Sequence, residues 1–198
     1  MSDKPKVLCF AGSLRKDSFN KKLVKVACEA ANKAGAEATF VDLKDYPMPI
    51  YDGDIEAESG LPENAKKLKA LMKSHDAFLI ASPEYNSTLT AALKNAVDWC
   101  SRPEPDEKPL ACYTGKFAGL MAASPGALGG LRGLVAVRSM LSNINVVVVP
   151  EQIAISKAQE AFDAEGKLVD AKHQQAVEKI ANRVVELVRG QIALKVKA

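Results

Sequence analysis

The chain has 198 residues, 47% hydrophobic and 26% charged, the balance of an ordinary globular protein long enough to bury a full core without disulfide or metal staples. A net charge of +3 and a pI near 8.6 are too mild, and the charges too scattered, for a nucleic-acid-binding protein. One domain, 1–198, is expected from the usual span of roughly 100–200 residues per domain.

The first apolar run, about Lys6–Ala11, reads as a buried strand, because apolar residues without alternation suit a parallel sheet covered on both faces. Gly12-Ser13-Leu14-Arg15-Lys16-Asp17-Ser18-Phe19-Asn20 follows. Beyond it, apolar residues recur at three and four positions, which predicts a helix over about Phe19–Ala34 with Gly35 as its stop. A strand, a hydroxyl-rich loop and a helix place free backbone N–H groups at the helix start, a ready anion site. Ser13, Ser18 and Asn20 can donate hydrogen bonds there, and Arg15 adds a charged fork. The plainer alternative is that Ser18 or Asn20 only caps the helix.

A second strand is predicted over about Glu37–Leu43. The stretch Asp45–Asp54 reads as irregular, since its two prolines cannot sit inside a central ladder and Asp52-Gly53 is turn chemistry. A helix over about Pro62–Ser74 turns Ala65, Leu68, Leu71 and Met72 inward, with Pro62 suited to its first turn. The third strand, about Ala77–Ser82, ends in Pro83-Glu84-Tyr85-Asn86. Leu89, Ala92, Leu93, Ala96, Val97 and Cys100 then form a continuous helical stripe. Arg102–Pro109, with three prolines and several charges, reads as an exposed loop. The fourth strand, about Phe117–Ala123, runs into Ser124–Gly133, which holds four glycines, and a helix continues to about Leu141. The fifth strand, about Asn145–Val149, is stopped by Pro150. Glu151–Gly166 is irregular or contains a short edge strand, and a final amphipathic helix spans about Ala171–Arg189.

Five strands alternating with helices imply an α/β fold: a three-layer, doubly wound parallel sheet. The expected form is flavodoxin-like, with strand order 2-1-3-4-5. A Rossmann dinucleotide fold competes, but it wants G-x-G-x-x-G after the first strand, where only Gly12 stands.

The four cysteines, Cys9, Cys28, Cys100 and Cys112, form no C-x-x-C pair and read as buried, reduced thiols. Two histidines far apart, His75 and His173, give no zinc pattern. Met1–Lys6 carries no signal-peptide pattern. Purely apolar runs such as Val146–Val149 are too short to span a bilayer. A cytoplasmic protein without membrane insertion is the expectation.

In an open α/β sheet, ligands bind beyond the carboxyl ends of the strands at the switch point. Order 2-1-3-4-5 puts the loops after strands 1, 3 and 4 around that crevice, and these are the three unusual loops. Tyr85 offers an aromatic face and Asn86 an amide for a planar ring, although Pro83–Asn86 also suits a plain turn. The glycines of Ser124–Gly133 allow close backbone approach to a ligand, or only flexibility. Glu84 and Asp98 are the carboxylates nearest the crevice or its helix, with no histidine near either in sequence. A phosphate cradle, a ring-binding loop and no evident acid–base group point to chemistry supplied by a cofactor.

Gly-Ser-Leu-Arg-Lys-x-Ser-Phe-Asn at 12–20, Pro-Glu-Tyr-Asn at 83–86, Leu-Lys-Asn-Ala-Val-Asp-Trp at 93–99 and Ser-Pro-Gly-x-x-Gly-Gly-x-Arg at 124–132 resemble the NADPH-dependent FMN reductase family. Pro49–Asp54 is similar to its bacterial quinone and chromate reductase branch. The resemblance implies one FMN per subunit and a homodimer or homotetramer. It implies that Ser13, Arg15, Ser18, Phe19 and Asn20 hold the FMN phosphate. Pro83, Glu84, Tyr85 and Asn86 would line the isoalloxazine, and Ser124 and Gly126 would complete the site. It further implies hydride transfer from NADPH or NADH to flavin N5 with no catalytic side chain, then reduction of a quinone or a similar acceptor such as chromate, an azo compound or free flavin. A related enzyme would release its reduced FMN to a partner. Many relatives have Pro-Gly where this chain has Thr90-Ala91, and Thr90 is expected to act at the helix start. Arg102, Lys108 and Arg132 are candidate contacts to a 2′-phosphate. The competing class is a flavodoxin-type electron carrier with no substrate of its own. Such carriers are strongly acidic, so the positive net charge counts against it.

Overall fold

In this computed structural model, residues 4–197 are described; Met1–Asp3, part of the stretch read for a signal pattern, lie outside the described residues. Five parallel strands form one sheet in the order β2-β1-β3-β4-β5. They are β1 (Lys6–Ala11), β2 (Glu37–Val41), β3 (Ala77–Ala81), β4 (Phe117–Ala123) and β5 (Val147–Ile155). Between and after them lie α1 (Phe19–Lys33), α2 (Gly53–Ser59), α3 (Glu63–Ser74), α4 (Ala91–Ser101), α5 (Leu131–Asn143) and α6 (Ala171–Lys197). The expected doubly wound order is therefore the observed one.

Successive strand residues point to opposite sheet faces, and here both faces are dry. Val7, Cys9 and Ala11 of β1 join Leu79 and Met121 beneath α1 and α6, against Val24, Ala27, Ala31, Ile180 and Val184. Leu8, Phe10, Phe78, Ile80 and Leu120 face the other way, against Leu68, Met72, Leu93, Val97 and Val137 from α3, α4 and α5. That two-sided burial is why the central strands read as unbroken apolar runs. All four cysteines are buried free thiols. No helix among the described residues is long and apolar enough to cross a membrane.

The element boundaries depart from expectation where a polar residue does an unexpected job. β2 stops at Val41 because Asp42 caps a short 3-10 turn, Leu43–Asp45, accepting from Lys44 N–H at 3.0 Å. Asp52-Gly53 is not a turn but the start of α2, with the Asp52 carboxylate accepting from Asp54 N–H at 2.8 Å. Pro62 caps α3 from outside it, so the first helical residue is Glu63. β5 does not end at Pro150; it continues to Ile155 through a register shift, with Val148 opposite Ala118 and Gln152 opposite Leu120. An edge strand tolerates a proline at such an irregularity, because no second neighbour needs its missing N–H. α6 runs past Arg189 to Lys197.

The loop at Arg102–Pro109 is irregular, as expected, but not wholly exposed. Glu107 is tucked under it and grips the buried Lys69 of α3 and Lys73 beside it.

Candidate active site

The sheet order brings the ends of β1, β3 and β4 side by side, and the three loops after them form one cleft. Its floor is tightly built at Gly12. The Gly12 N–H continues the ladder to Ala81 O at 2.9 Å. A Cβ at this position would stand 3.0 Å from Leu93 Cβ and 3.3 Å from Thr90 Oγ1. Thr90 Oγ1 donates to Gly12 O at 2.6 Å and accepts from Leu93 N–H at 3.2 Å, so one hydroxyl caps α4 and ties it to the first loop. Thr90→Val keeps the shape and removes both bonds. It is expected to cost about 1–2 kcal/mol of stability, the worth of a helix cap, read from the urea midpoint.

The first loop leads into α1 through Ser18, the N-cap, whose Oγ accepts from Lys21 N–H at 3.4 Å. Ser13 Oγ accepts from Arg15 N–H at 3.4 Å. Asn20 does something that its type did not announce. Its Nδ2 donates to Ala123 O at 2.8 Å and its Oδ1 accepts from Ala123 N–H at 3.0 Å. The amide thus closes the last residue of β4, and it stitches the first loop to the third. Arg15 makes no ion pair or hydrogen bond through its guanidinium among the described residues and lies on the rim.

After β3, Tyr85 and Thr88 exchange backbone bonds of 3.0 and 3.2 Å across Asn86 and Ser87. Both turn residues are left-handed, with φ of 51° and 67°, the geometry of a tight hairpin turn. The turn holds Tyr85 out at the mouth, 50% exposed.

The third loop is held by Ser124, whose N–H donates to Ile155 O at 3.0 Å, and whose Oγ accepts from Gly126 N–H at 3.2 Å. Gly129 has φ of 61°, and a Cβ there would fall 2.7 Å from the backbone of Ala154 and Ile155. Only glycine fits a left-handed position pressed that closely on a strand.

Glu84 joins the second loop to the third. Its Oε1 accepts from Arg132 Nε at 2.7 Å and forms an ion pair with Nη2 at 2.5 Å, and its Oε2 accepts from Gly133 N–H at 3.1 Å. Burial raises the Glu84 carboxyl, but the bonds from Arg132 and Gly133 outweigh it and hold the group below the ordinary carboxylate value. Gly133 itself leaves room for this contact, since a Cβ there would meet Glu84 Cβ at 3.2 Å.

Two adjoining hollows result. A small one of about 70 Å³ is lined by Ser13, Arg15, Ser18, Phe19, Asn20, Pro83, Glu84, Tyr85 and Ser124, with Ala123 and Pro125. A larger one of about 410 Å³ is lined by Glu84, Asn86, Ser124, Gly126 and Arg132, with Ser87 and residues 127–130. Glu84 and Ser124 belong to both. The residues singled out in the sequence therefore converge on one cleft. Three others do not line it: Arg102 is bound to Glu56 at 2.9–3.0 Å, Asp98 to Lys94 at 2.7–2.8 Å, and Lys108 stands on the exposed loop. The Glu84–Arg132 pairing and the Asn20–Ala123 stitch escape a reading of the sequence. Their partners lie 48 and 103 residues apart, and no local pattern links them.

A family model described as NADPH-dependent FMN reductase matches residues 5–160. An NAD(P)H-dependent FMN reductase of Pseudomonas aeruginosa is 36% identical over 180 residues, covering 90% of this chain and 92% of its own length. A quinone reductase of Pseudomonas putida is 36% identical over 172 residues, covering 86% and 88%. Among solved structures, FerB, a flavoenzyme NAD(P)H:(acceptor) oxidoreductase from Paracoccus denitrificans, aligns with a TM-score of 0.79 at 29% identity, covering 94% of this chain and 98% of its own. An archaeal flavodoxin, at 10% identity and a TM-score of 0.60, shares the fold alone.

Proposed function

The chain belongs to the NADPH-dependent FMN reductase family, and on that premise we propose that it is an FMN-dependent NAD(P)H oxidoreductase reducing quinones in the cleft between the three loops. The observation that carries this reading is the adjacency of the two hollows: a small polar cradle at the start of α1, bordered by Tyr85, shares Glu84 and Ser124 with a larger hollow bordered by Asn86.

The cradle fits a single phosphate better than a pyrophosphate, being about 70 Å³ and served by one helix N-terminus. Ser13 and Ser18 supply hydroxyls, Arg15 supplies a guanidinium with no other partner among the described residues, and Asn20 fixes the cradle wall through Ala123. Glu84, Tyr85 and Asn86 on one side and Ser124 and Gly126 on the other frame the place for the ring. When bound, FMN supplies two-electron redox chemistry between NAD(P)H and the quinone. The protein positions the partners, and the carboxylate in the cleft is not a free acid: Glu84 is occupied by Arg132 and Gly133. Protons for quinone reduction are drawn from solvent through the open mouth of the cleft.

The protein acts in the cytoplasm, consistent with four free thiols, as a homodimer or homotetramer. Leu131 and Val135, exposed on α5 beside the cleft, support an oligomer. An electron carrier without a substrate of its own is disfavoured by the net charge of +3.

Purified protein is expected to take up FMN and to oxidise NADPH or NADH with a quinone. Arg15→Ala is expected to weaken FMN binding about 10- to 150-fold, since a charge-assisted hydrogen bond contributes roughly 1.5–3 kcal/mol. Fluorescence titration of the apoprotein with FMN measures it. Unchanged affinity would move the phosphate elsewhere.

A further inference from the structure

The hollow of about 410 Å³ is lined by small or neutral residues apart from two, Glu84 and Arg132, and these two are bonded to each other. The arrangement is asymmetric. The Glu84 side chain is 8% exposed and held at both oxygens, whereas Arg132 is 58% exposed and, among the described residues, its guanidinium is held by Glu84 alone. Glu84 is thus the fixed member and Arg132 the one that is free to swing when released. A guanidinium released at the wall would turn a neutral cavity into a cationic one, and a cleft lined by one sign of charge concentrates ligands of the opposite sign.

We propose that Glu84 is a specificity-determining residue: by pinning the Arg132 guanidinium it keeps the acceptor cavity electrically neutral, and the enzyme thereby prefers uncharged planar quinones to anionic acceptors. The proposal rests on the proposed function above, with the ring seated against one side of this hollow and the acceptor entering over it, past Glu84 and Arg132. It assigns Glu84 and Arg132 no part in electron transfer; they set the field that the acceptor enters. The two members of the pair have opposite consequences. Without the Glu84 charge the cavity is positive. Without the Arg132 charge, Glu84 keeps only the Gly133 N–H and the wall loses its cation, so an anionic acceptor is favoured less.

The test compares 1,2-naphthoquinone with its 4-sulfonate, the same nucleus without and with a negative charge. For wild type, Glu84→Gln and Arg132→Gln, kcat/KM is measured for both acceptors per bound flavin, and the sulfonate-to-neutral ratio is taken within each protein. Any loss of flavin or general activity cancels in that ratio. Glu84→Gln is expected to raise the ratio at least about tenfold, and Arg132→Gln to lower it by a similar factor, within the range by which local fields alter encounter. Both changes should shrink as salt is raised. Equal ratios in the three proteins, a shift in the same direction for both variants as a loosened cleft would give, or shifts indifferent to salt would each overturn the proposal. Wild-type protein that holds FMN but reduces neither acceptor would instead overturn the quinone-reductase reading, and the proposal with it.

Discussion

Glu107→Gln is expected to cost about 3–5 kcal/mol of folding stability, the range found when one member of a buried ion pair is removed and the other is left uncompensated. Lys69 is 1% exposed. Its ammonium has three partners: the Glu107 carboxylate, Arg102 O at 2.5 Å, and Glu104 Oε2 at a longer 3.8 Å. Glutamine keeps the size and one acceptor oxygen for Lys69 and the Glu104 N–H, and turns its amide NH2 toward the exposed Lys73, so the loss is mainly that of the charge facing Lys69. Lys73→Met is the control. Lys73 binds the same carboxylate at 2.7 Å but is 47% exposed, and a solvated partner of that kind contributes about 0–1 kcal/mol. Urea denaturation of the three proteins gives the comparison, and equal losses in both variants would mean that burial of Lys69 is not the source.

The same carboxylate sets a pH signature. Burial pushes the Glu107 carboxyl up, but the bonds from Lys69, Lys73 and the Glu104 N–H outweigh it and bring it from 4.5 to about 2. A group lowered on folding contributes stability that is complete above its unfolded value and is lost as pH falls toward the folded one. The urea midpoint of the wild type should therefore decline between pH 5 and pH 2, and Glu107→Gln should lack that part of the decline.

The second large effect is expected at Asn20. Asn20→Ala leaves both the N–H and the C=O of Ala123 without a partner in a closed part of the fold. Each unsatisfied buried group costs about 1–3 kcal/mol, so a loss of about 2–6 kcal/mol is expected. FMN affinity should fall in parallel, because the cradle wall is no longer fixed to β4. Asn20→Asp separates the two bonds. Its carboxylate still accepts from the Ala123 N–H but faces the Ala123 carbonyl as an anion, so stability should be low at neutral pH and recover on acidification, when the acid regains a donor. A variant as stable at pH 7 as the wild type would show that the donor bond carries nothing.

The order of the sheet was legible because the strands that had to be buried on both faces, such as Val7–Ala11 and Phe78–Ile80, are apolar at every position. The order in turn made the site legible, since it assigned three odd loops to one edge. α2 was not legible: none of its residues is buried, so it has no apolar stripe, and its signal is a single Asp52 cap. Asn20 was read as a donor to an anion, a chemistry its type allows, but its amide is committed to a strand far along the chain. Arg132 reads in the sequence as a candidate contact to a 2′-phosphate, because nothing in its neighbourhood of sequence names Glu84. Contacts of this kind are set by how the loops are folded back on one another, which periodicity does not report.

The irregularity in β5 has a consequence for the behaviour of the protein in concentrated solution. Among the described residues β5 pairs only with β4, so its far side is an open strand edge, and Val146–Val149 is the kind of β-branched, uncharged run that recruits further strands. Pro150 follows that run directly and the register breaks there. An incoming strand finds a missing donor and a displaced backbone where it would need a straight template. The residue that looks like the end of a strand is, in the folded protein, a guard against adding another one to the sheet.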